Sequence, residues 1–256
     1  MSREQKDFCF CTLAIGKNYR LLAQQLAQDL EKNSPGISVV IYTDKPEDFK
    51  TNPNTLAYKH QQQGILLCYH DKRFVLAKAL SNFRAAIYID ADTRITSKIS
   101  NIHWQPGITA GHWENLIEHA SKYNPERLEF FKKIASKLNL PLENTNYIGE
   151  SLFVIARDEG REGKFFEQWG HIGRYLELKG IHSGEGNAMG LAATLVGWNI
   201  KTEGWQEIKQ AVKHIEASHT PTQEKFWDKW KIKLGYYYRL NVARLEALKN
   251  FKFYYT

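Results

Sequence analysis

Nine residues, Ala85-Ala86-Ile87-Tyr88-Ile89-Asp90-Ala91-Asp92-Thr93, constrain this chain more than any others. An apolar run leads straight into two aspartates separated by one alanine. A short continuous apolar run bounded by polar residues predicts a strand buried on both faces, in a sheet covered by helices. The carboxyl end of such a strand is where open α/β sheets place their ligands. On a still-extended segment Asp90 and Asp92 point the same way and face one centre. Two like charges that close call for a cation between or beside them. Oxygen-only ligands favour a hard ion, Mg²⁺ or Mn²⁺, with positions left open for phosphate oxygens. The plainer alternative is a pair of solvated loop residues after a core strand.

The length of 256 residues suits one large α/β domain, or one domain with a small appendage. The expected division is a catalytic domain over 1–221 and a basic, aromatic, helical extension over 222–256. Hydrophobic residues make up 43% and charged residues 25%, ordinary values for a globular protein. No apolar run reaches the ~18 residues that a membrane-crossing helix needs. The charged start, Met1 to Asp7, is not followed by a signal-peptide core, so a cytoplasmic location is expected. Three cysteines cannot all pair, and Cys9 and Cys11 share one apolar segment, so they read as core thiols of a reducing compartment. The formal charge of +7 points to anionic partners, and nucleic acid is not expected among them.

Phe8 to Ala14 is a predicted strand, followed by a turn at Gly16 and Asn18 and a helix with Tyr19, Leu22, Leu26 and Leu30 on one stripe. After Ser34-Pro35-Gly36, Ile37 to Tyr42 is a second strand, which makes a parallel βαβ unit. It ends in Thr43-Asp44, where Asp44 is either a turn residue or an acid set against a nucleoside. His70-Asp71-Lys72-Arg73 opens a helix through Phe83, and its two first-turn cations oppose the macrodipole unless an anion docks there. Ile108 to Gly111 is another strand, and residues 125–138 form a helix. Tyr147 to Ala156 reads as one strand interrupted at Gly149-Glu150-Ser151, the mark of a bulge or of a ligand's close approach. Lys164 to Lys179 is helical. The following Gly184-Glu185-Gly186 and Gly190 lack a preceding strand, so a dinucleotide loop is rejected. Instead Ser183 is read as the N-cap, and Glu185 as a first-turn acid, of a helix through Val196. Ile200 to Gly204 and His214 to His219 are candidate short strands.

The segment Asp90-Ala91-Asp92 resembles the DxD signature of nucleotide-sugar-dependent glycosyltransferases of the GT-A fold. The resemblance implies a single, mostly parallel α/β sheet flanked by helices, and sugar transfer from a nucleotide donor to an acceptor hydroxyl. It further implies that Asp90 and Asp92 hold Mn²⁺ or Mg²⁺ against the donor diphosphate, with His219 as a histidine completing the site. Lys72, Arg73 and Lys78 become the basic residues beside the donor, and Thr12 and Asp44 seat its nucleoside. Glu185 is the first choice for a base and Glu150 a candidate acceptor-binding residue; Glu185 could equally be a plain helix-terminal charge.

Two other classes remain open. The segment also matches the DxDxT nucleophile of haloacid-dehalogenase-type phosphatases, although that motif follows the first strand of its fold and needs a downstream acidic pair. A non-catalytic sugar- or lipid-binding module is the third. The carbohydrate or lipid-linked acceptor connects to the tail: residues 224–256 hold eight Lys or Arg against three acids, a net +5, interleaved with aromatics. Such segments bind anionic membrane surfaces. The expectation is that 224–238 pack on the domain, with Gly235 breaking or bending the helix, while 239–256 dock peripherally on a membrane.

Overall fold

The computed structural model describes residues 7–99, 102–215 and 226–255. The chain opens with β1 (Phe8–Ala14), α1 (Lys17–Asn33) and β2 (Val39–Thr43), followed by β3 (Thr55–Lys59), α2 (Lys72–Asn82) and β4 (Ala85–Ile89). Next come β5 (Thr93–Ile95), β6 (Gly107–Thr109), β7 (Trp113–Asn115), α3 (Leu116–Tyr123), α4 (Leu128–Leu138), β8 (Asn146–Ile148) and β9 (Leu152–Ala156). The remainder is α5 (Arg161–Leu178), α6 (Glu185–Leu195), α7 (Trp205–Ala211), β10 (Val212–His214), α8 (Phe226–Ala247) and α9 (Phe251–Tyr255).

The central sheet has six strands in the order β3-β2-β1-β4-β9-β6. The first four are parallel, and β9 runs against both β4 and β6. This is the mostly parallel α/β sheet flanked by helices that the sequence predicts. Alternation explains why β1 and β4 read as unbroken apolar runs. Cys9, Cys11, Ala86 and Tyr88 pack on one side with α2, α5 and α6, whereas Phe8, Phe10, Ile87 and Ile89 pack on the other with α1 and α7. All three cysteines are free, and Cys9 and Cys11 are sealed in the core.

Several local expectations are corrected. The stretch 147–156 is not one strand: β8 pairs with β7, β9 joins the central sheet, and Gly149-Glu150-Ser151 is the corner between them. Ser183 does not cap α6. Gly184 holds that position in the left-handed region at φ 83°, and Ser183 is instead gripped by Arg127 through its carbonyl (3.0 Å) and its hydroxyl (3.3 Å). Around Ile200 to Gly204 only a single bridge forms, between Lys201 and Thr109. Gly235 neither breaks nor ends the last long helix, and its missing side chain leaves room for the Arg239 guanidinium one turn on. Exposed and buried residues alternate along the tail by face: Trp230, Leu234, Tyr238, Leu245, Leu248 and Phe251 are exposed, while Ala243, Ala247 and Tyr254 are buried. The expected boundary at residue 221 lies outside the described residues. Among the described residues no helix is long and apolar enough to cross a membrane.

Helix α6 rests very close against β8. A methyl group on Gly190 would stand 1.7 Å from the Asn146 carbonyl oxygen, and one on Gly186 2.1 Å from that of Ile148. Both obstacles are backbone and cannot swing aside. Gly190→Ala should therefore destabilise the protein by about 1–3 kcal/mol, as overpacking does, and this is read as a lowered urea midpoint at unchanged m-value.

Candidate active site

The apolar run of β4 ends at Ile89, and the chain turns at once, with the Thr93 amide donating to the Asp90 carbonyl at 3.0 Å. Asp90 thus follows the last strand residue and Asp92 sits on the turn after it, each with its own partners. Asp90 lies on the α2 side. Its Oδ1 accepts from the Tyr88 hydroxyl at 3.1 Å and pairs with Lys72 Nζ at 3.2 Å. Asp92 is buried at 5% exposure, with His214 Nδ1 at 3.4 Å from its Oδ1.

Lys72 is the hub. Its ammonium is buried among Asp90 at 3.2 Å, Glu185 Oε1 at 2.7 Å and the Glu150 carbonyl at 3.0 Å. An ammonium has three donors, and these three acceptors account for them. The ring of Tyr88 lies 4.7 Å below the charge. Burial works against a charged Lys72, but Asp90 and Glu185 outweigh it and hold its pKa well above the ordinary value. This set answers the macrodipole conflict seen in the sequence, because the cation in the first turn of α2 is held by acids from β4 and α6.

Glu185 is 1% exposed at the start of α6. Glu150, on the β8–β9 corner, accepts from the Gly186 amide at 2.9 Å. The two carboxyls influence one another, each entering the other's electrostatics. Burial works to raise both, but contact with the Lys72 ammonium holds the Glu185 pKa low, while burial and the Glu185 charge push Glu150 well up. Asp90 is raised too, by burial, with Lys72 pulling the other way.

The sequence candidates therefore separate. The fold gathers Lys72, Asp90, Glu150 and Glu185, with Asp92 on the adjoining turn. Arg73 and Lys78 point elsewhere, since positions one and six further along a helix are rotated by about 100° and 240° from Lys72. Arg73 donates to the His70 carbonyl, stacks on Phe74 and lies against Gly170 of α5. Lys78 sits over the Tyr58 ring of β3. Thr12 is fully buried in β1, with no partner for its hydroxyl, so it offers no surface to a nucleoside. Asp44 ties β2 to α1, accepting from the Gly16 amide at 3.1 Å and from Arg20 at 2.6 Å. Burial alone would raise its pKa, but Arg20 and the Gly16 amide hold it low. Its side chain remains 42% exposed.

His219 lies outside the described residues, and the histidine beside the acidic turn is His214. In β10, antiparallel to β5, His214 stands opposite Thr93, and the next amide, Ile215, donates to the Asp92 carbonyl at 3.0 Å. Only the pairing of two distant short strands places it there. Three further residues escaped the sequence reading. Tyr88 has its hydroxyl on Asp90. Tyr19, at the start of α1, has its phenol pKa raised first by burial and then by Asp92 and Asp90. His70 is 2% exposed and accepts from Trp169 Nε1 at 3.1 Å through Nδ1, which puts its own proton on Nε2.

Lys72→Met strands two buried carboxylates and should cost about 3–5 kcal/mol by urea unfolding. The double variant with Glu185→Gln should recover part of that loss, because the second change removes one of the stranded charges. His70 supplies a pH test. Burial lowers its pKa from 6.5 to about 4, so the folded protein refuses a proton that the unfolded chain accepts. Its contribution to stability is full above pH 6.5 and is lost as pH falls towards 4. The acid-side decline in unfolding free energy should be shallower in His70→Gln than in the parent.

No family model matches the sequence, and no curated protein matches it. Among solved structures the fold is similar to the apo structure of a bifunctional glycosyltransferase, WbbM, at 12% identity and a TM-score of 0.48. The match covers 76% of this chain and 38% of that one.

Proposed function

We propose that this protein is a nucleotide-sugar-dependent glycosyltransferase of GT-A type, transferring a sugar to an acceptor hydroxyl. The observation that carries this reading is the carboxyl end of β4. There an acidic pair on a turn adjoins a buried ammonium, which is shared with a second buried carboxylate.

A divalent ion fits these residues. Asp90, Asp92 and Glu185 are three carboxylates against the single ammonium of Lys72, so negative charge is left over at the turn. Two carboxylates with an imidazole beside them are a donor set for Mn²⁺ or Mg²⁺, the nitrogen favouring Mn²⁺. Asp90 and Asp92 would hold the ion, with His214 as the third candidate. Among the described residues no three such side chains are gathered closely enough to hold an ion by themselves. When bound, the metal would supply Lewis acidity that neutralises the departing diphosphate.

The chain's own groups supply the rest. Lys72 positions Asp90 and Glu185, and with all three donors engaged it is a holder of carboxylates before it is a phosphate ligand. Asp44, half exposed at the start of α1, is the candidate for the nucleoside. If the anomeric configuration inverts, an ionised carboxylate must take the acceptor's proton, and Glu185 is the group that Lys72 keeps ionised. Glu150, which burial pushes towards its protonated form, would serve as a hydrogen-bond donor to the acceptor.

The phosphatase reading fares worse. Asp158 follows Ala156, whose partner Ala85 is the first residue of β4, so it sits at the opposite edge of the sheet from Asp90. It is also engaged by Trp198 at 2.6 Å and Arg161 at 2.9 Å.

Screening nucleotide sugars for Mn²⁺-dependent hydrolysis, together with thermal stabilisation by nucleoside diphosphates, tests the proposal. Asp92→Asn should abolish turnover and leave the fold intact, and full activity with tight Mn²⁺ binding in that variant would refute the metal site. Glu185→Gln should lower kcat by about 10²–10⁴-fold with donor binding retained if Glu185 is the base. A loss below about threefold would leave it as the counter-ion of Lys72, since a general base contributes far more than that.

A further inference from the structure

Nine large apolar side chains between Trp230 and Tyr255 are exposed, a concentration found nowhere else among the described residues. On α8 all of them but Ile232, which is exposed on the opposite side, are ordered. At 3.6 residues per turn, Trp230, Leu234, Tyr237, Tyr238 and Leu245 fall within an arc of roughly 100°. Exposure along this stripe reaches 64% at Leu234 and 71% at Tyr238. Lys233 and Arg244 border it on one side and Lys231 on the other, all exposed. From 230 to 255 there are six basic residues and a single acid, Glu246, which lies well off the stripe. The side turned inwards is different: Ala243 and Ala247 are buried, Arg239 donates to the Ile65 carbonyl at 3.1 Å, and Tyr236 meets His182 edge-on. One helix therefore grips the domain with small residues and presents a basic-rimmed aromatic face outwards.

We propose that this outward face of α8, continued by Leu248 and Phe251, docks the protein flat on an anionic lipid bilayer. Tyrosine and tryptophan with leucine between them suit the depth of the headgroups, and lysine and arginine at the rim suit acidic lipid. The helix is about 33 Å long at 1.5 Å per residue, enough to lie along the surface. A second copy of the chain is the poorer occupant, because a two-fold contact would set these basic rims against themselves. The surface is distinct from the acidic turn, and its test uses no sugar donor, so it stands or falls apart from the proposed transfer reaction.

Flotation of the full chain with phosphatidylcholine vesicles, with and without phosphatidylglycerol, decides the matter. The protein should float only with the anionic vesicles and be released by salt. Leu234→Glu with Tyr238→Glu should abolish flotation while thermal melting is unchanged, since both side chains are already in solvent. Lys231→Glu, Lys233→Glu and Arg244→Glu together should weaken partitioning on the order of 10²-fold. Failure to float, equal recovery with neutral vesicles, or flotation unaffected by the Leu234 and Tyr238 changes would overturn the proposal. So would light scattering showing a dimer that does not float and that Leu234→Glu splits.

Discussion

A single buried ammonium organises the site. Lys72 reaches from the first turn of α2 into a space walled by β4, the β8–β9 corner and α6, and each wall presents an oxygen to it. Three charged groups in a site this dry are costly apart and tolerable together, so the ion cluster fixes the relative placement of three distant pieces of chain. Glu185, Asp90 and Glu150 all have Lys72 among the charges that set their pKa values. Glu185 has its pKa held low because it touches the ammonium, and Glu150 is pushed up by burial and by the Glu185 charge.

The cluster needs α6 to come close, and here two glycines decide. Gly186 and Gly190 fall one turn apart and let the helix rest on the carbonyls of β8. That seats Glu185 beside Lys72 and aims the Gly186 amide at Glu150. Small residues on one helix face and a charged trio at its end are thus one construction, in which backbone proximity makes the electrostatics possible. The loop ahead of α2 is held similarly: Asp71 accepts from the Gln63 and Gly64 amides, Glu177 of α5 from the Ile65 amide, and Arg239 of α8 donates to the Ile65 carbonyl. These bonds fix the approach to Lys72 from three separate elements.

The six-stranded sheet also explains why acids cluster at one edge. Parallel strands end together, so Asp44 after β2 and Asp90 after β4 emerge at the same end of the sheet, on either side of β1. The antiparallel β9 starts at that edge, which brings Glu150 to it, and ends at the opposite one, which carries Asp158 away. Strand direction alone separates a carboxylate available to the site from one committed to Trp198.

What the sequence determined by itself were the features that local periodicity encodes. The buried strands β1 and β4, the first βαβ unit, the helices α1, α2 and α5, and the acidic pair at the end of a central strand all follow from apolar spacing and turn residues. The sequence also pointed to Lys72, Glu150 and Glu185, through a cation at a helix N-terminus, a charge inside a strand and an acid at a helix start. It had no means of ranking Lys72 above Arg73 and Lys78, because only the packing angle of α2 sets which one faces β4. It could not place His214 beside the acidic turn, because that needs the β5–β10 pairing of residues more than a hundred positions apart. It divided the tail by position where the helix divides it by face. Contacts between residues close in sequence are written in spacing, whereas contacts made across the fold depend on angles and registers that no local pattern carries.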